Sequence, residues 1–138
     1  MLEFEPPLVA IVCSNRNYSF QTLRSTKECV LNIPTAKLVH SVVRCGSVSG
    51  GKIDKFARYG LTPAAASIVR PPLVAECFAN LECRVVDTRM VAKYNLFVLE
   101  VVQAWIDPRV KHPRTLHHRG RGLFAVDGKT IQLALSKT

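Results

Sequence analysis

The sequence predicts a mostly β (α+β) domain, an antiparallel barrel-like sheet with short inserted helices. Short apolar or alternating segments dominate the chain, and the longest runs over residues 94–106. Helical patterns are short and lie in the first half. No regular long helices separate the strands, which argues against a doubly wound parallel sheet. With 138 residues, 48% of them apolar, we expect residues 1–138 to form a single domain.

The individual elements follow from turn and capping residues between the apolar segments. Asn17 or Ser19 is a suitable N-cap for a first helix, Thr35 for a second and Asp54 for a third. The predicted strands are residues 8–13, 29–33, 80–88, 94–106 and 130–135, and the predicted helices are residues 18–27, 35–46 and 54–60. Residues 61–72 contain three prolines, which predicts irregular or edge structure.

The net charge of +9, from 19 basic and 10 acidic residues, raises the question of a polyanionic partner. Most basic residues are scattered, but residues 109–121 carry five Lys or Arg and three His without an acid. This basic stretch is a solvated loop, a phosphate-binding rim or an RNA contact. Charge alone favours the solvated loop, so nucleic acid is not the expected partner.

The cysteines and the N-terminal residues indicate the cellular compartment of the protein and whether it binds a metal. The five cysteines include no Cys-x-x-Cys pair, so we expect reduced, buried thiols and no metal site. The N-terminal residues lack the pattern of a secretory signal, and no apolar run reaches the roughly 18 residues of a membrane helix. A cytoplasmic protein without a membrane span is therefore expected.

Motifs for catalysis by side chains are missing from the sequence. It contains no Gly-x-Ser-x-Gly, no Gly-x-Gly-x-x-Gly, no Walker loop and no evident carboxylate pair. Catalytic residues therefore stay unassigned. If the protein is an enzyme, a bound cofactor is expected to carry the reaction.

The first candidate for phosphate binding links the first predicted strand to the first predicted helix. A helix N-terminus offers unpaired backbone amides and the positive end of the helix dipole. Ser14, Asn15 and Ser19 add polar side chains and Arg16 adds a charged donor. The alternative interpretation is an ordinary capped helix with a surface arginine.

The second candidate is the segment from Ser47 to Phe56. Ser49 and Gly50 lie in a Ser-Gly-Gly turn whose glycines permit close approach of the backbone to a ligand. Lys52 or Lys55 would supply a positive charge. The alternative interpretation is a plain loop.

Taken in order along the chain, several short motifs resemble the flavin reductase-like proteins, in particular the flavoredoxin branch of the FMN-binding split-barrel family. The match lies in the order and spacing of the motifs over nearly the whole chain. The motifs are Pro-Pro-Leu-Val-Ala-Ile-Val at 6–12, Tyr18-Ser19, Val-Leu-Asn-Ile-Pro at 30–34, Gly-Ser-Val-Ser-Gly at 46–50, Asp54-Lys55-Phe56, Leu81-Glu82-Cys83, Phe97 with Glu100-Val101-Val102, and Thr115 to Gly120.

This resemblance implies a split antiparallel β-barrel and a homodimer with FMN near the subunit interface. It also implies an oxidoreductase that passes electrons from NAD(P)H to flavin or to a small-molecule acceptor. By the same resemblance, residues 14–19 would face the phosphate and ribityl chain of FMN. Ser49, Gly50 and Lys55 would form the second flavin-contacting segment.

The sequence departs from the family pattern in two places. The usual N-terminal strands before the double proline are not evident, and Leu99 stands where many relatives have glycine. These departures leave a rival prediction, a flavin-free remnant of the fold that acts as a basic binding or structural protein. His117 and His118 would point to opposite faces of a strand and share no metal. Phe97 and Trp105 are predicted as core or dimer contacts.

Overall fold

The computed structural model describes residues 1–131 and is built around one antiparallel sheet. The predicted strand at 130–135 extends beyond the described residues. The elements are β1 (Leu8–Val12), α1 (Tyr18–Thr26), β2 (Glu28–Ile33), a 3-10 turn (Ala36–Leu38), α2 (Val39–Ser47), α3 (Lys55–Tyr59), β3 (Pro63–Ala64), β4 (Leu73–Val74), β5 (Ala79–Asp87), α4 (Val91–Tyr94), β6 (Leu96–Ile106), β7 (Leu116–His118) and β8 (Phe124–Val126).

The main sheet has four strands in the order β1-β6-β5-β2, and every neighbouring pair is antiparallel. Two further pairs, β3 with β4 and β7 with β8, form small antiparallel sheets of their own. The result is a half-barrel with a few short helices. This confirms the predicted antiparallel split-barrel fold. Among the described residues, no helix combines the length and apolarity needed to cross a membrane.

One face of the sheet packs against α1 and contains the main hydrophobic core. Phe97 and Leu99 of β6 and Cys83 of β5 are fully buried, and Phe20 and Leu23 of α1 cover them. The rings of Phe20 and Phe97 meet edge to face, with centroids 5.4 Å apart and planes at 70°. This contact holds α1 against the centre of the sheet and confirms Phe97 as a core residue.

The opposite face is covered by the irregular segment between α3 and β5, which a buried carboxylate organises. Glu82 is fully buried and accepts hydrogen bonds from the backbone amides of Ser67, Ile68 and Val69 at 2.7–3.0 Å. The indole N–H of Trp105 also donates to Glu82, at 2.7 Å. Four N–H groups and the Ser67 hydroxyl therefore donate to the Glu82 carboxylate. These hydrogen bonds offset the large free-energy cost of burying a charge.

The environment of Glu82 has opposing effects on its pKa. Burial raises the pKa, but the hydrogen bonds from Ser67, Trp105, Val69 and Ile68 outweigh it and lower the pKa to about 2. The carboxylate is therefore charged in the folded protein at all ordinary pH values. Trp105 is 41% exposed, so it lies outside the buried core, and its indole donates to Glu82. The other alternative predicted for Trp105, a dimer contact, stays a prediction.

The helix ends agree with the predicted caps in part. The Asp54 carboxylate accepts from the amides of Phe56 and Ala57, and Gly60 ends α3 with a left-handed φ of 63°. Asn17 occupies the N-cap of α1, but its side chain makes no capping hydrogen bond. The prediction of Thr35 as the N-cap of the second helix is wrong, because Thr35 precedes the 3-10 turn and Leu38 occupies the N-cap of α2. Tyr94 was predicted to begin the long strand. Instead it ends α4, and the strand begins at Leu96.

The basic stretch at 109–121 is mostly loop, as predicted, and only residues 116–118 of it lie in a strand, the first strand of a hairpin. Its strands β7 and β8 pair directly, and the Arg114 carbonyl accepts from the Ala36 amide at 2.8 Å, which ties the hairpin to the rest of the domain. His117 lies 3.4 Å from an Asp127 carboxylate oxygen, whereas His118 packs on the ring of Phe124. The two histidines thus have separate surroundings.

Replacing Phe97 with alanine is expected to lower the free energy of unfolding by about 3–5 kcal/mol, because the ring is fully buried against Phe20. Tyr94→Ala is the control, since Tyr94 is 49% exposed and should change stability by less than about 0.5 kcal/mol. Urea denaturation measures both values. Equal losses for the two variants would contradict the assigned core.

Replacing Glu82 with glutamine is expected to lower stability by about 1–3 kcal/mol at pH 7, because the amide group would face backbone N–H donors. The parent should lose stability as pH falls from about 4.5 towards 2, since the unfolded chain takes up a proton that the folded carboxylate does not. Glu82→Gln should lose less over that range.

Denaturation curves at pH 7 and pH 3 measure this difference. Glu100→Gln is the control, because the Glu100 side chain makes no hydrogen bond within the described residues. If Glu82→Gln and the parent lost equal stability between pH 7 and pH 3, the buried carboxylate would not be the charged group described above.

Candidate functional site

The two segments predicted to bind phosphate meet at the N-terminus of α1. The glycine turn after α2 lies against the ring of Tyr18, the first residue of α1. A Cβ atom on Gly51 would come within 2.9 Å of Tyr18 Cδ2, so only glycine permits this approach. A Cβ on Gly50 would lie 3.7 Å from both Tyr18 Cδ1 and Lys55 Cε. The turn, Lys55 and the helix start thus form one surface.

The N-terminus of α1 presents backbone donors that no described residue uses. The amide of Phe20 bonds to the Asn17 carbonyl, but the amides of Tyr18 and Ser19 have no acceptor within residues 1–131. The first turn of α1 contains no acidic residue. The positive end of this nine-residue helix is therefore open to an external anion.

The residues before α1 form a compact turn. Ser14 accepts through its carbonyl from the Asn17 amide at 2.9 Å and through Oγ from the Arg16 amide at 3.3 Å. Ser14, Asn15, Arg16 and Ser19 are all exposed. The Arg16 guanidinium makes no hydrogen bond or ion pair within the described residues, so it is available to a ligand.

The second segment has fewer groups available than the sequence suggests. The Ser49 hydroxyl accepts from the Gly51 amide at 3.3 Å, which stabilises the turn. Lys55 is half-buried and donates from Nζ to the Cys45 carbonyl at 2.5 Å, near the end of α2. An ammonium group has three donors, so Lys55 can anchor the loop and still present a charge to a ligand.

Sequence reasoning identified both segments and placed Tyr18 in the first of them, but it did not predict that Tyr18 contacts the second. Gly51 packs against the ring of Tyr18, and Tyr18 as a whole is 56% exposed. A Gly-Gly turn signals a close approach to some neighbour, but the sequence does not name that neighbour. Among the described residues, no three His, Cys, Asp or Glu side chains are placed to hold a metal ion.

The arrangement is suited to binding a phosphate ester. It combines two open backbone amides, serine hydroxyls, Arg16 and Lys55 beside a glycine turn. No carboxylate or histidine belongs to this group of residues, so it offers binding and orientation and no acid or base. This set of donors fits the phosphate end of a nucleotide-like cofactor such as FMN.

The half-barrel sheet and the candidate phosphate-binding surface are those expected of a flavin reductase-like protein, and comparison with known proteins shows that family. The family model of the flavin reductase like domain matches residues 1–126. The chain therefore belongs to the flavin reductase-like family, as its motifs predicted.

The similar proteins include two curated relatives of unknown role. The chain is 34% identical over 142 residues to the uncharacterised protein YddH of Escherichia coli, covering 94% of this chain and 75% of that protein. It is also 34% identical over 101 residues to an uncharacterised protein of Archaeoglobus fulgidus, covering 73% of this chain. That second match spans only 57% of the archaeal protein's length.

Solved structures share the fold over almost the whole chain. An FMN-binding domain of a flavin reductases-like enzyme from Shewanella baltica superimposes with a TM-score of 0.88 at 25% identity, covering 96% of this chain and 77% of the other. Flavoredoxin of Desulfovibrio vulgaris gives a TM-score of 0.84 at 22% identity, covering 96% and 76%. The second likeness concerns the fold alone.

Gly51→Ala is expected to lower stability by about 1–3 kcal/mol, because its Cβ would overlap the Tyr18 ring. The double variant Tyr18→Ala/Gly51→Ala should show no such loss relative to Tyr18→Ala alone, since the ring is then gone. Thermal or urea unfolding measures the difference. Gly50→Ala is the matched control, because its Cβ would make only ordinary contacts. An additive double variant would refute the close approach.

Proposed function

We propose that the protein is an FMN-binding oxidoreductase that passes electrons from NAD(P)H to flavin or to a small-molecule acceptor. The observation that carries this proposal is the meeting of the glycine turn with the open N-terminus of α1 at Tyr18. Membership of the flavin reductase-like family and the likeness to an FMN-binding domain support it.

In this proposal the phosphate of FMN lies at the start of α1. The open amides of Tyr18 and Ser19 would bind its oxygens, and Arg16 and Lys55 would balance its charge. Ser14, Asn15, Ser49 and Gly50 would line the phosphate and ribityl chain.

FMN supplies hydride and electron transfer when it is bound, so the reaction needs no acid or base from the chain. The residues of the chain bind and orient the phosphate end. Gly50 and Gly51 keep the turn close to the helix, and the Lys55 contact with Cys45 holds that turn to the end of α2. We further propose that residues 1–138 form one domain and act as a cytoplasmic homodimer.

A visible absorption spectrum tests the proposal directly. The purified protein, or the protein mixed with FMN and passed through gel filtration, should retain a yellow flavin spectrum. A colourless protein after both treatments would refute FMN binding. It would favour the flavin-free basic protein, whose retention on a polyanion column would weaken steeply with salt.

Arg16→Ala and Lys55→Ala are each expected to weaken FMN binding by about 1.5–3 kcal/mol if each makes a charge-assisted bond to phosphate. Quenching of flavin fluorescence gives the dissociation constants. Lys37→Ala is the control, because it removes an exposed positive charge from the 3-10 turn that precedes α2, whereas Lys55 contacts the other end of α2. Unchanged FMN affinity in both Arg16→Ala and Lys55→Ala would overturn the site assignment.

A further inference from the structure

Two cysteines face each other across the main sheet. In the antiparallel register of β2 and β5, Cys29 lies directly opposite Cys83. Both side chains belong to the face that packs against α1, where Phe20 and Leu23 cover the same core. Both cysteines are free thiols, and the proposed function uses neither of them. The core beneath α1 thus contains a pair of nucleophilic groups to which the flavin site gives no role.

The backbone geometry suits a disulfide bond between these two cysteines. The Val85 amide donates to the Lys27 carbonyl at 2.9 Å. Hydrogen-bonded pairs alternate along an antiparallel ladder, so Cys29 and Cys83, two positions further along, form such a pair. The Cα atoms of such a pair are about 5.5 Å apart, within the range of about 4.4–6.8 Å found in disulfides. The strands therefore hold the two residues at a separation that a disulfide bond can span.

The two thiols also affect each other's ionisation. Hydrogen bonding with Cys29 lowers the pKa of the Cys83 thiol. Hydrogen bonding with Cys83, together with burial, raises the pKa of the Cys29 thiol. The pair therefore gives up its first proton more readily than an isolated buried thiol would. This matters because the thiolate is the form of cysteine that reacts with oxidants.

The two cysteines differ in their access to solvent. Cys29 is half-buried and lies on β2, an edge strand of the main sheet. Cys83 is fully buried and lies on β5, an interior strand. A small oxidant therefore reaches the sulfur of Cys29 first, and Cys83 is placed to attack that sulfur from within the core.

We propose that Cys29 and Cys83 form a site of reversible oxidation by hydrogen peroxide, whose product is a disulfide that joins β2 to β5. The Cys29 sulfur attacks one oxygen of the peroxide while its proton passes to the Cys83 thiolate. The O–O bond breaks, Cys29 becomes a sulfenic acid, and the released hydroxide takes the proton from Cys83 to form water.

The second step closes the disulfide. The Cys83 thiolate attacks the Cys29 sulfur, which forms the S–S bond and breaks the S–O bond. The hydroxide that leaves takes a proton from solvent. Two thiols thus lose two electrons and two protons in all, and one hydrogen peroxide is reduced to two molecules of water. This chemistry needs no flavin, so the inference stands apart from the proposed function.

The experiment treats the folded protein with a small excess of hydrogen peroxide and counts the free thiols after denaturation. The parent has five thiols and is expected to retain three, because the bridge uses two. Dithiothreitol should restore all five. Digestion with trypsin and chymotrypsin followed by mass spectrometry locates the bridge, since Phe78 separates Cys77 from Cys83 in the sequence. Electrophoresis without reductant should show single chains, because the bridge lies within one chain.

Two variants and two matched controls test which thiols react. Cys83→Ala should form no bridge and should carry a sulfenic acid on Cys29, which a dione reagent labels. Cys29→Ala should keep all its remaining thiols. The controls are Cys77→Ala, a buried position like Cys83, and Cys13→Ala, a half-buried position like Cys29. Each control should still lose two thiols, and melting temperatures confirm that the variants are folded.

Three results would overturn the inference. The first is a parent that keeps five thiols under peroxide. The second is a bridge that still forms in Cys29→Ala or that maps to a cysteine other than Cys29 and Cys83. The third is a bridge between two chains. None of these results depends on FMN, so the oxidation site and the flavin site can fail separately.

Discussion

The packing of Phe20 on Phe97 is the contact on which the position of α1, and with it the candidate phosphate-binding surface, depends. It places α1 across the centre of the sheet, with ring centroids 5.4 Å apart and Leu23 sealing the same core. Because α1 is short, its isolated stability is marginal and its position comes from this buried face. The start of α1, which meets the glycine turn at Tyr18, therefore takes its position from this packing contact.

The two faces of the sheet are stabilised by different interactions, apolar packing on one and hydrogen bonds to a buried carboxylate on the other. The α1 face buries apolar side chains and cysteines, whereas the other face buries the carboxylate of Glu82. Burial of that charge is acceptable because backbone amides and Trp105 satisfy it, and the segment that supplies the amides is thereby held against the sheet. The irregular segment around Ser67 therefore owes its conformation to one side chain rather than to its own propensity.

The sequence predicted local features well and contacts between distant segments poorly. The four strands of the main sheet, the helices α1 to α3 and the Asp54 cap were predicted, because each depends on neighbouring residues. The short elements α4, β7 and β8 were not predicted. The burial of Glu82 was not predicted. Apolar and polar residues alternate along β5, but this alternation does not show that the proline-rich segment at 61–72 covers the face of the sheet on which Glu82 lies. Tyr94 was assigned to a strand by its β propensity, but backbone bonds from Tyr94 to Met90 and from Asn95 to Val91 close a helical turn there. In the candidate site, both segments were predicted, but the Tyr18 contact that joins them was not.

The two ends of α1 both carry positive potential, but its source differs between them: the backbone contributes at the N-terminus, and side chains alone contribute at the C-terminus. At the N-terminus the unpaired amides and the helix dipole attract an anion, so affinity there comes partly from the backbone. At the C-terminus the dipole repels an anion, and the positive charges there come from the side chains of Arg24 in the last turn and Lys27 at the C-cap. Both side chains are exposed, so their contribution is screened by salt more than that of the half-buried Lys55. Rising ionic strength should therefore reduce the positive potential at the C-terminal end of α1 more than at its N-terminal end, where part of the potential comes from the backbone.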